Sequence, residues 1–133
     1  MATILIVEDE MFICQNAEWL LRDLGHDVLL ACNLEESLGH LSASGPIDAL
    51  FVDIRLNVLA LGGYDIANQA IMLRPALRVL YTSGNSLTPD MTDQFVAEGR
   101  FLEKPYSNQQ LEFSIGELLN PPEQERRTQP MRI

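Results

Sequence analysis

The stretch TILIVEDE, residues 3–10, carries two signals that organise the rest of the sequence. Residues 3–7 are apolar or β-branched at every position, which is typical of a strand covered on both faces, as in a parallel sheet. Three acids, Glu8, Asp9 and Glu10, follow at once. The stretch therefore predicts a buried strand with negative charge collected at its carboxyl end.

Four further apolar runs predict strands later in the chain, at residues 27–31, 48–53, 77–82 and 101–103. Segments with helical spacing of apolar residues alternate with these strands, at residues 12–24, 34–41, 64–73, 88–98 and 107–119. Strands that alternate with helices predict an α/β domain with a parallel sheet and helices on both faces. Right-handed crossovers leave few topologies for such a sheet.

Local signals place the ends of several predicted helices. Gly25 stands where a C-cap glycine belongs, after a helix whose apolar residues share one face: Phe12, Ile13, Ala17, Leu20, Leu21 and Leu24. Asn33 with Glu36 three residues later is a capping-box pattern for the second helix. The Thr-Pro pair at 88–89 suits an N-cap and a first helical residue, and predicts a fourth helix through Glu98.

Composition limits the class of protein. The chain has 133 residues, which is about one domain, and its 19 acids against 9 basic residues give a formal charge of −10. This charge argues against nucleic acid or an anionic membrane as a partner. Cys14 and Cys32 form no C-x-x-C pair, so we expect one or two buried thiols in a reducing compartment. With neither a membrane span nor a secretory signal, the sequence predicts a cytoplasmic protein.

Chemically active residues collect at the predicted strand ends. Ligands of open α/β sheets bind beyond the carboxyl ends of the strands, where the strand order switches. The residues at these ends are Glu8 and Asp9 (first strand), Asp53 (third), Ser83 (fourth) and Lys104 (fifth), the only lysine of the chain. If the strand order is 2-1-3-4-5, the first and third strands are neighbours, and the three carboxylates converge.

Three clustered carboxylates repel one another unless a cation intervenes. Oxygen ligands with net negative charge suit Mg²⁺. A phosphoryl group is the simplest substrate that needs both such a metal and a lysine. A carboxylate that attacks phosphorus forms an acyl phosphate, so the site is suited to phosphoryl transfer.

Four motifs, ILIVEDE, LFVDI, VLYTSG and FLEKP, resemble in order and spacing those of the receiver (response-regulator, CheY-like) domain of two-component signalling. The resemblance covers about residues 3–119. It implies an α/β, flavodoxin-like (βα)5 fold with a doubly wound, five-stranded parallel sheet in the order 2-1-3-4-5. We expect a receiver domain at residues 1–119 and a disordered tail at residues 120–133.

The resemblance also implies roles for the site residues. Asp53 would accept a phosphoryl group from the phosphohistidine of a sensor histidine kinase or a histidine phosphotransfer protein. Mg²⁺ would be held by Glu8, Asp9, Asp53 and the main-chain carbonyl of Arg55. Lys104 and Ser83 would contact the phosphoryl oxygens, and Ser83 with Phe101 would form the switch. Such a protein is not a conventional enzyme, because it catalyses only its own phosphorylation and the hydrolysis of its acyl phosphate.

One region departs from the family pattern. The fourth residue after Asp53 is Asn57 rather than proline, and the glycines at 62–63 arrive about two residues late. The loop at residues 56–63 is therefore expected to be longer and more apolar than usual. Glu8 replaces the commoner aspartate, which lengthens one of the metal-side carboxylates.

Only 14 residues follow Leu119, which suggests a stand-alone receiver that signals through a downstream protein target. The face between the fourth and fifth helices carries five acids, Asp90, Asp93, Glu98, Glu112 and Glu117, but only Arg100 and Lys104 as cations. Because like charges would face each other, we expect a monomer or a weak dimer.

Other functions remain as alternatives. A receiver-like interaction module that is not phosphorylated is favoured by the variant loop and opposed by the intact residue set. A hydrolase of the haloacid type also uses an aspartate nucleophile, but it requires a second aspartate where Arg55 stands. A flavin-binding protein would need a phosphate-cradling loop after the first strand, where Glu8, Asp9 and Glu10 would repel phosphate.

Overall fold

The structure is a computed structural model, and it describes residues 2–56 and 62–121. Its strands are β1 (Thr3–Val7), β2 (Asp27–Ala31), β3 (Ala49–Asp53), β4 (Arg78–Ser83) and β5 (Arg100–Glu103). Its helices are α1 (Met11–Asp23), α2 (Leu34–Ser42), α3 (Gly62–Leu73), α4 (Pro89–Thr92) and α5 (Asn108–Leu119). The middle of the variant loop (57–61) and most of the expected disordered tail (122–133) lie outside the described residues.

All five strands pair in parallel, in the order β2-β1-β3-β4-β5. The predicted fold class and strand order are confirmed. Strands β1 and β3 are neighbours with Val7 opposite Val52. The residues that follow, Glu8 and Asp53, therefore leave the sheet side by side, at the point where the connections turn to opposite sides of the sheet.

Two apolar layers cover the sheet. On one side, residues of α2 and α3 such as Leu41, Ile66 and Ala70 pack on the sheet. On the other side, residues of α1 and α5 such as Leu21 and Leu111 do so. Every residue of β3 is buried, which explains why this strand reads as a continuous apolar run that ends on an acid.

The predicted C-cap of α1 is confirmed. Gly25 has φ +97, and its N–H donates to Arg22 while that of His26 donates to Leu21. This bond pair is a Schellman motif, in which glycine supplies the left-handed residue. The predicted apolar face of α1 was partly wrong, because Phe12 is 80% exposed. The helix buries Ala17 and Leu21 as predicted, together with Cys14, which was not in the predicted face, and this leaves Phe12 on the opposite side.

Two further helix predictions need correction. The Asn33 side chain caps Glu36 N–H as predicted, but the Glu36 carboxylate accepts from Cys32 N–H rather than from the N-cap residue. The fourth helix begins at the predicted Thr88 N-cap but ends at Thr92 instead of Glu98. The bonds that follow span only three residues, which tightens the chain into a turn. Among residues 2–56 and 62–121, no helix is both long and apolar enough to cross a membrane.

Candidate functional site

Three carboxylates meet where β1 and β3 end. One oxygen from each of Glu8, Asp9 and Asp53 lies within 4.8 Å of the others. Glu8 and Asp53 are buried, and Asp9 is half-buried at the rim. The adjacency of β1 and β3 thus produces the convergence that the strand order implied.

Lys104 reaches the same point from the end of β5. Its Nζ lies 3.0 Å from Oδ2 of Asp53 and 3.0 Å from Oε1 of Glu8, with Oε1 of Glu10 at 3.9 Å. The backbone N–H of Lys104 donates to the carbonyl of Ser83, which ties β5 to the tip of β4. The only lysine of the chain is therefore the counter-ion of the buried acids.

Burial and charge change the ionisation of this cluster. Burial, reinforced by the negative charge of Asp53, raises the pKa of Glu8 to about 7, although Lys104 acts in the opposite direction. Burial lowers the pKa of the Lys104 ammonium, but its bonds to Asp53 and Glu8 outweigh this effect, so that its pKa is raised overall. The two buried acids therefore share one ammonium, and the repulsion between them is not fully offset.

The backbone around Asp53 is closely packed. Arg55 N–H donates to Oδ1 of Asp53 over 3.2 Å, and Gly63 N–H donates to the Ile54 carbonyl over 2.8 Å. A Cβ on Gly63 would stand 2.2 Å from the carbonyl oxygen of Asp53. Only glycine allows this approach, so the start of α3 fixes the chain behind Asp53. Arg55 lies on the exposed side of this turn.

The two neighbouring hydroxyls of β4 differ in their surroundings. Thr82 donates to the Leu102 carbonyl over 2.7 Å and is held inside the sheet. Ser83 ends the strand, and its Oγ accepts from Asn85 N–H over 3.1 Å. Phe101 is half-buried against the apolar layer on the α2 and α3 side. Ser83 is therefore the hydroxyl at the strand tip, as its position in the sequence predicts.

Two residues near the cluster have no predicted role in the sequence pattern. Glu10, the last acid of the EDE run, lies close enough to Lys104 to share its charge. Tyr106 packs edge-on against Phe51, and its pKa is raised by burial and by the charges of Glu8 and Asp53. The sequence signal that could have pointed to Tyr106 is its position directly after Lys104-Pro105.

The two cysteines are unpaired with each other, and each of the two histidines bonds the backbone. Cys14 is buried and Cys32 is exposed, and both are free thiols. His26 accepts from Ala2 N–H through Nδ1, and His40 bonds the Leu30 carbonyl through Nε2. Both histidines are thus satisfied polar groups that lie apart from the acidic cluster.

Comparisons with known proteins give one consistent result. A receiver protein from Sinorhizobium medicae WSM419 is 28% identical, with a TM-score of 0.80 over 90% of this chain and 95% of that one. A CheY-like receiver from Methanospirillum hungatei JF-1 (23% identity, TM-score 0.78, 96% and 98% covered) has the same fold. So does the chemotaxis protein CheY4 of Vibrio cholerae (22% identity, TM-score 0.80, 90% and 99% covered).

A comparison with curated protein sequences gives no significant match. The sequence matches the family described as response regulator receiver domain over residues 4–115, a span that contains the whole acidic cluster with its lysine. By sequence and by fold, the chain belongs to the response regulator receiver domains of two-component signalling.

Proposed function

We propose that Asp53 is the phospho-acceptor of this receiver domain and that a phosphohistidine is the donor. The observation that supports this most strongly is the joint position of Asp53 beside Glu8 and Asp9 and within 3.0 Å of the Lys104 ammonium. A nucleophilic carboxylate, neighbouring acids and a nearby cation are the groups that phosphoryl transfer to an aspartate requires.

The donor set suits Mg²⁺. Glu8 and Asp53 share the Lys104 ammonium, and Asp9 adds a third carboxylate within 4.8 Å, so the site offers the oxygen ligands that a divalent ion prefers. Glu8, Asp9, Asp53 and the main-chain carbonyl of Arg55 are the proposed ligands. When bound, the ion would neutralise charge on the phosphoryl oxygens.

The reaction follows from the positions of the side chains. An oxygen of Asp53 attacks phosphorus, the P–N bond to the donor imidazole breaks, and the imidazole leaves with that electron pair. Before the transfer Lys104 donates to Oδ2 of Asp53, and it moves to a phosphoryl oxygen as the carboxylate becomes an acyl phosphate, a mixed anhydride. The hydroxyl of Ser83 exchanges its turn contact for a bond to another phosphoryl oxygen. Water attack on the same phosphorus reverses the modification.

Partners follow from this chemistry. The donor is a sensor histidine kinase or a histidine phosphotransfer protein, and the output is a protein target that distinguishes the two states of the switch residues Ser83 and Phe101. In this proposal residues 1–119 form the receiver unit. The partnership with a kinase implies that the protein is cytoplasmic. Stable resistance of residues 1–119 to limited proteolysis would support that boundary.

Acetyl phosphate and intact mass test the assignment. With Mg²⁺, the protein should gain about 80 Da, the mass of one phosphoryl group. The gain should disappear in Asp53→Asn and persist in the matched control Asp65→Asn, whose carboxylate bonds Gln69 on α3. An adduct that persists in Asp53→Asn would overturn the site. The absence of any adduct, from acetyl phosphate or a kinase, would favour the alternative, an interaction module that is not phosphorylated.

A further inference from the structure

Four aromatic side chains form a cluster beside β4 and β5: Tyr64, Tyr81, Phe95 and Phe101. Phe95 is its centre, because its ring contacts each of the other three. The Phe95 ring stacks on Tyr81 with centroids 4.2 Å apart and planes inclined by 17°, and its centroid lies 6.3 Å from that of Phe101. The residue that packs most closely on Tyr81 thus comes from the segment that follows the short α4.

The Tyr81 hydroxyl bonds the chain just beyond the turn that ends α4. Tyr81 is fully buried in β4, and its hydroxyl accepts the Val96 N–H over 2.9 Å. In a continued helix this N–H would donate to the carbonyl of Thr92, four residues earlier. That carbonyl instead accepts from Phe95. The Val96 N–H therefore donates to the tyrosine rather than to a helical carbonyl.

The return of the chain to β5 holds Phe95 in place. Glu98 has φ +64, and Gly99 N–H donates to the Val96 carbonyl over 3.0 Å. A Cβ on Gly99 would lie 2.9 Å from Cε2 of Tyr81, so only glycine allows the close approach. We refer to residues 93–99, closed over Tyr81 in this way, as the clasp.

The clasp packs on β4 and β5, the strands that lead to Ser83 and Lys104 of the candidate site. Tyr81 precedes Ser83 by two residues on β4 and stands opposite Phe101 on β5, in the chain segment that leads to Lys104. Phe101 packs against the same apolar layer as Tyr81 and Phe95. Because the rings of Phe95 and Phe101 are neighbours in this cluster, a turn of the Phe101 ring would disturb the packing of Phe95.

We propose that the clasp is closed in the unphosphorylated protein and that phosphorylation of Asp53 opens it. This rests on the proposed function. When Ser83 and Lys104 move to the phosphoryl oxygens, the strand tips shift and Phe101 turns inward. Phe95 leaves Tyr81, Val96 N–H loses its acceptor, and residues 93–99 become available to a protein target. By linkage, a weakened clasp must raise the affinity of Asp53 for a phosphoryl group or its mimic.

Hydrogen exchange of the full chain tests the clasp. Beryllium fluoride, a phosphoryl mimic, is added with Mg²⁺, and its binding is followed by the fluorine NMR signal of the protein-bound adduct. The amide of Val96 should exchange about tenfold faster with the mimic bound, while amides in the centre of α2 stay unchanged.

Two variants complete the test. Tyr81→Phe keeps the ring but removes the acceptor, so Val96 should exchange quickly without the mimic, and the mimic should bind about threefold more tightly. Tyr64→Phe is the matched control, because it removes a hydroxyl from the same cluster without touching the Val96 bond, and should alter neither value. If Tyr81→Phe does not fold, Phe95→Leu tests the stack in its place.

The outcomes separate the two proposals. Mimic bound to Asp53 with an unchanged Val96 amide would overturn the clasp and leave the proposed function intact. A tighter-binding Tyr81→Phe together with faster exchange at Val96 supports the clasp. Failure of the mimic to bind, seen as no bound fluorine signal, would overturn the proposed function and the clasp together.

Discussion

The ammonium of Lys104 lies 3.0 Å from Oδ2 of Asp53, and this contact joins the tips of β5 and β3 across the intervening β4. The same ammonium holds Glu8 at 3.0 Å. Lys104 thereby neutralises part of the acidic cluster and at the same time occupies a hydrogen-bonding position on the proposed nucleophile, Asp53. This double role has measurable consequences for stability and for metal binding.

Removal of the lysine should destabilise the protein when metal is absent. Lys104→Gln leaves buried carboxylates without their cation, and we expect a loss of about 1–3 kcal/mol in the free energy of unfolding, limited because Glu8 can take up a proton. Millimolar Mg²⁺ should restore part of the loss. Urea denaturation with and without Mg²⁺ measures both. Glu18→Gln, which weakens the exposed pair with Arg22 and leaves the Arg22 bond to the Val28 carbonyl in place, is the control and should cost less than about 1 kcal/mol. Equal losses in the two variants would contradict this account of Lys104.

Magnesium binding should depend on pH through Glu8. The pKa of Glu8 is raised to about 7 by burial and by Asp53, so this side chain is protonated below neutrality, and metal binding must release that proton. Apparent Mg²⁺ affinity should therefore be level above this pH and fall as the pH drops below about 7, by up to about tenfold per pH unit. Calorimetric titration in buffers of different ionisation enthalpy measures the affinity and the proton release. In Glu8→Gln the apparent Mg²⁺ affinity should change little with pH. An equally steep dependence in that variant would show that another group causes it.

Gly63 should tolerate no side chain. Gly63→Ala places a Cβ against the backbone of Asp53 and Ile54, so we expect a loss of about 2–3 kcal/mol of stability and a slower rate of phosphorylation. Gly116→Ala is the matched control, since this helical position has open space and alanine is the better helix former. It should be neutral or stabilising by up to about 1 kcal/mol. Thermal unfolding measures the stability of the two variants. A Gly63→Ala variant as stable as the parent would show that the start of α3 does not fix the chain behind Asp53.

Self-association should be weak. Arg100 pairs with Glu117 of its own chain at 3.8 Å, and Lys104 is engaged in the acidic cluster. The two cations of the face between α4 and α5 thus have partners within the chain, while Asp90 and Asp93 add negative charge. Light scattering of the protein with beryllium fluoride and Mg²⁺ should give the monomer mass at micromolar concentration. A tight dimer under these conditions would contradict the prediction.

The sequence predicted the strands best. A strand buried on both faces, such as Ala49–Asp53, must be apolar throughout, and a run of this length is too short for a typical helix. The sequence also predicted that the strand-end residues lie close together. Strand order, rather than side-chain detail, brings Glu8, Asp53 and Lys104 to one place. Their roles in phosphoryl transfer stay predictions.

Long-range contacts account for the features that the sequence did not predict. The turn after α4 is followed by a bond from Val96 N–H to the hydroxyl of Tyr81, which lies far from Val96 in the chain and on a different element. The orientation of α1 was ambiguous because apolar residues occur on both sides of it, and Phe12 remained exposed. The departure from the family pattern at Asn57 falls among residues 57–61, outside the described part of the chain.

The identity of the phosphorylated residue decides whether Asp53 is the phospho-acceptor. Protein treated with acetyl phosphate and Mg²⁺ is reduced with borohydride, which converts an aspartyl phosphate into homoserine, and the digested peptides are sequenced by mass spectrometry. We expect homoserine at residue 53, dependent on Mg²⁺, and at no other aspartate of the chain. Homoserine at Asp9 or another aspartate, with residue 53 still aspartate, would show that Asp53 is not the phospho-acceptor.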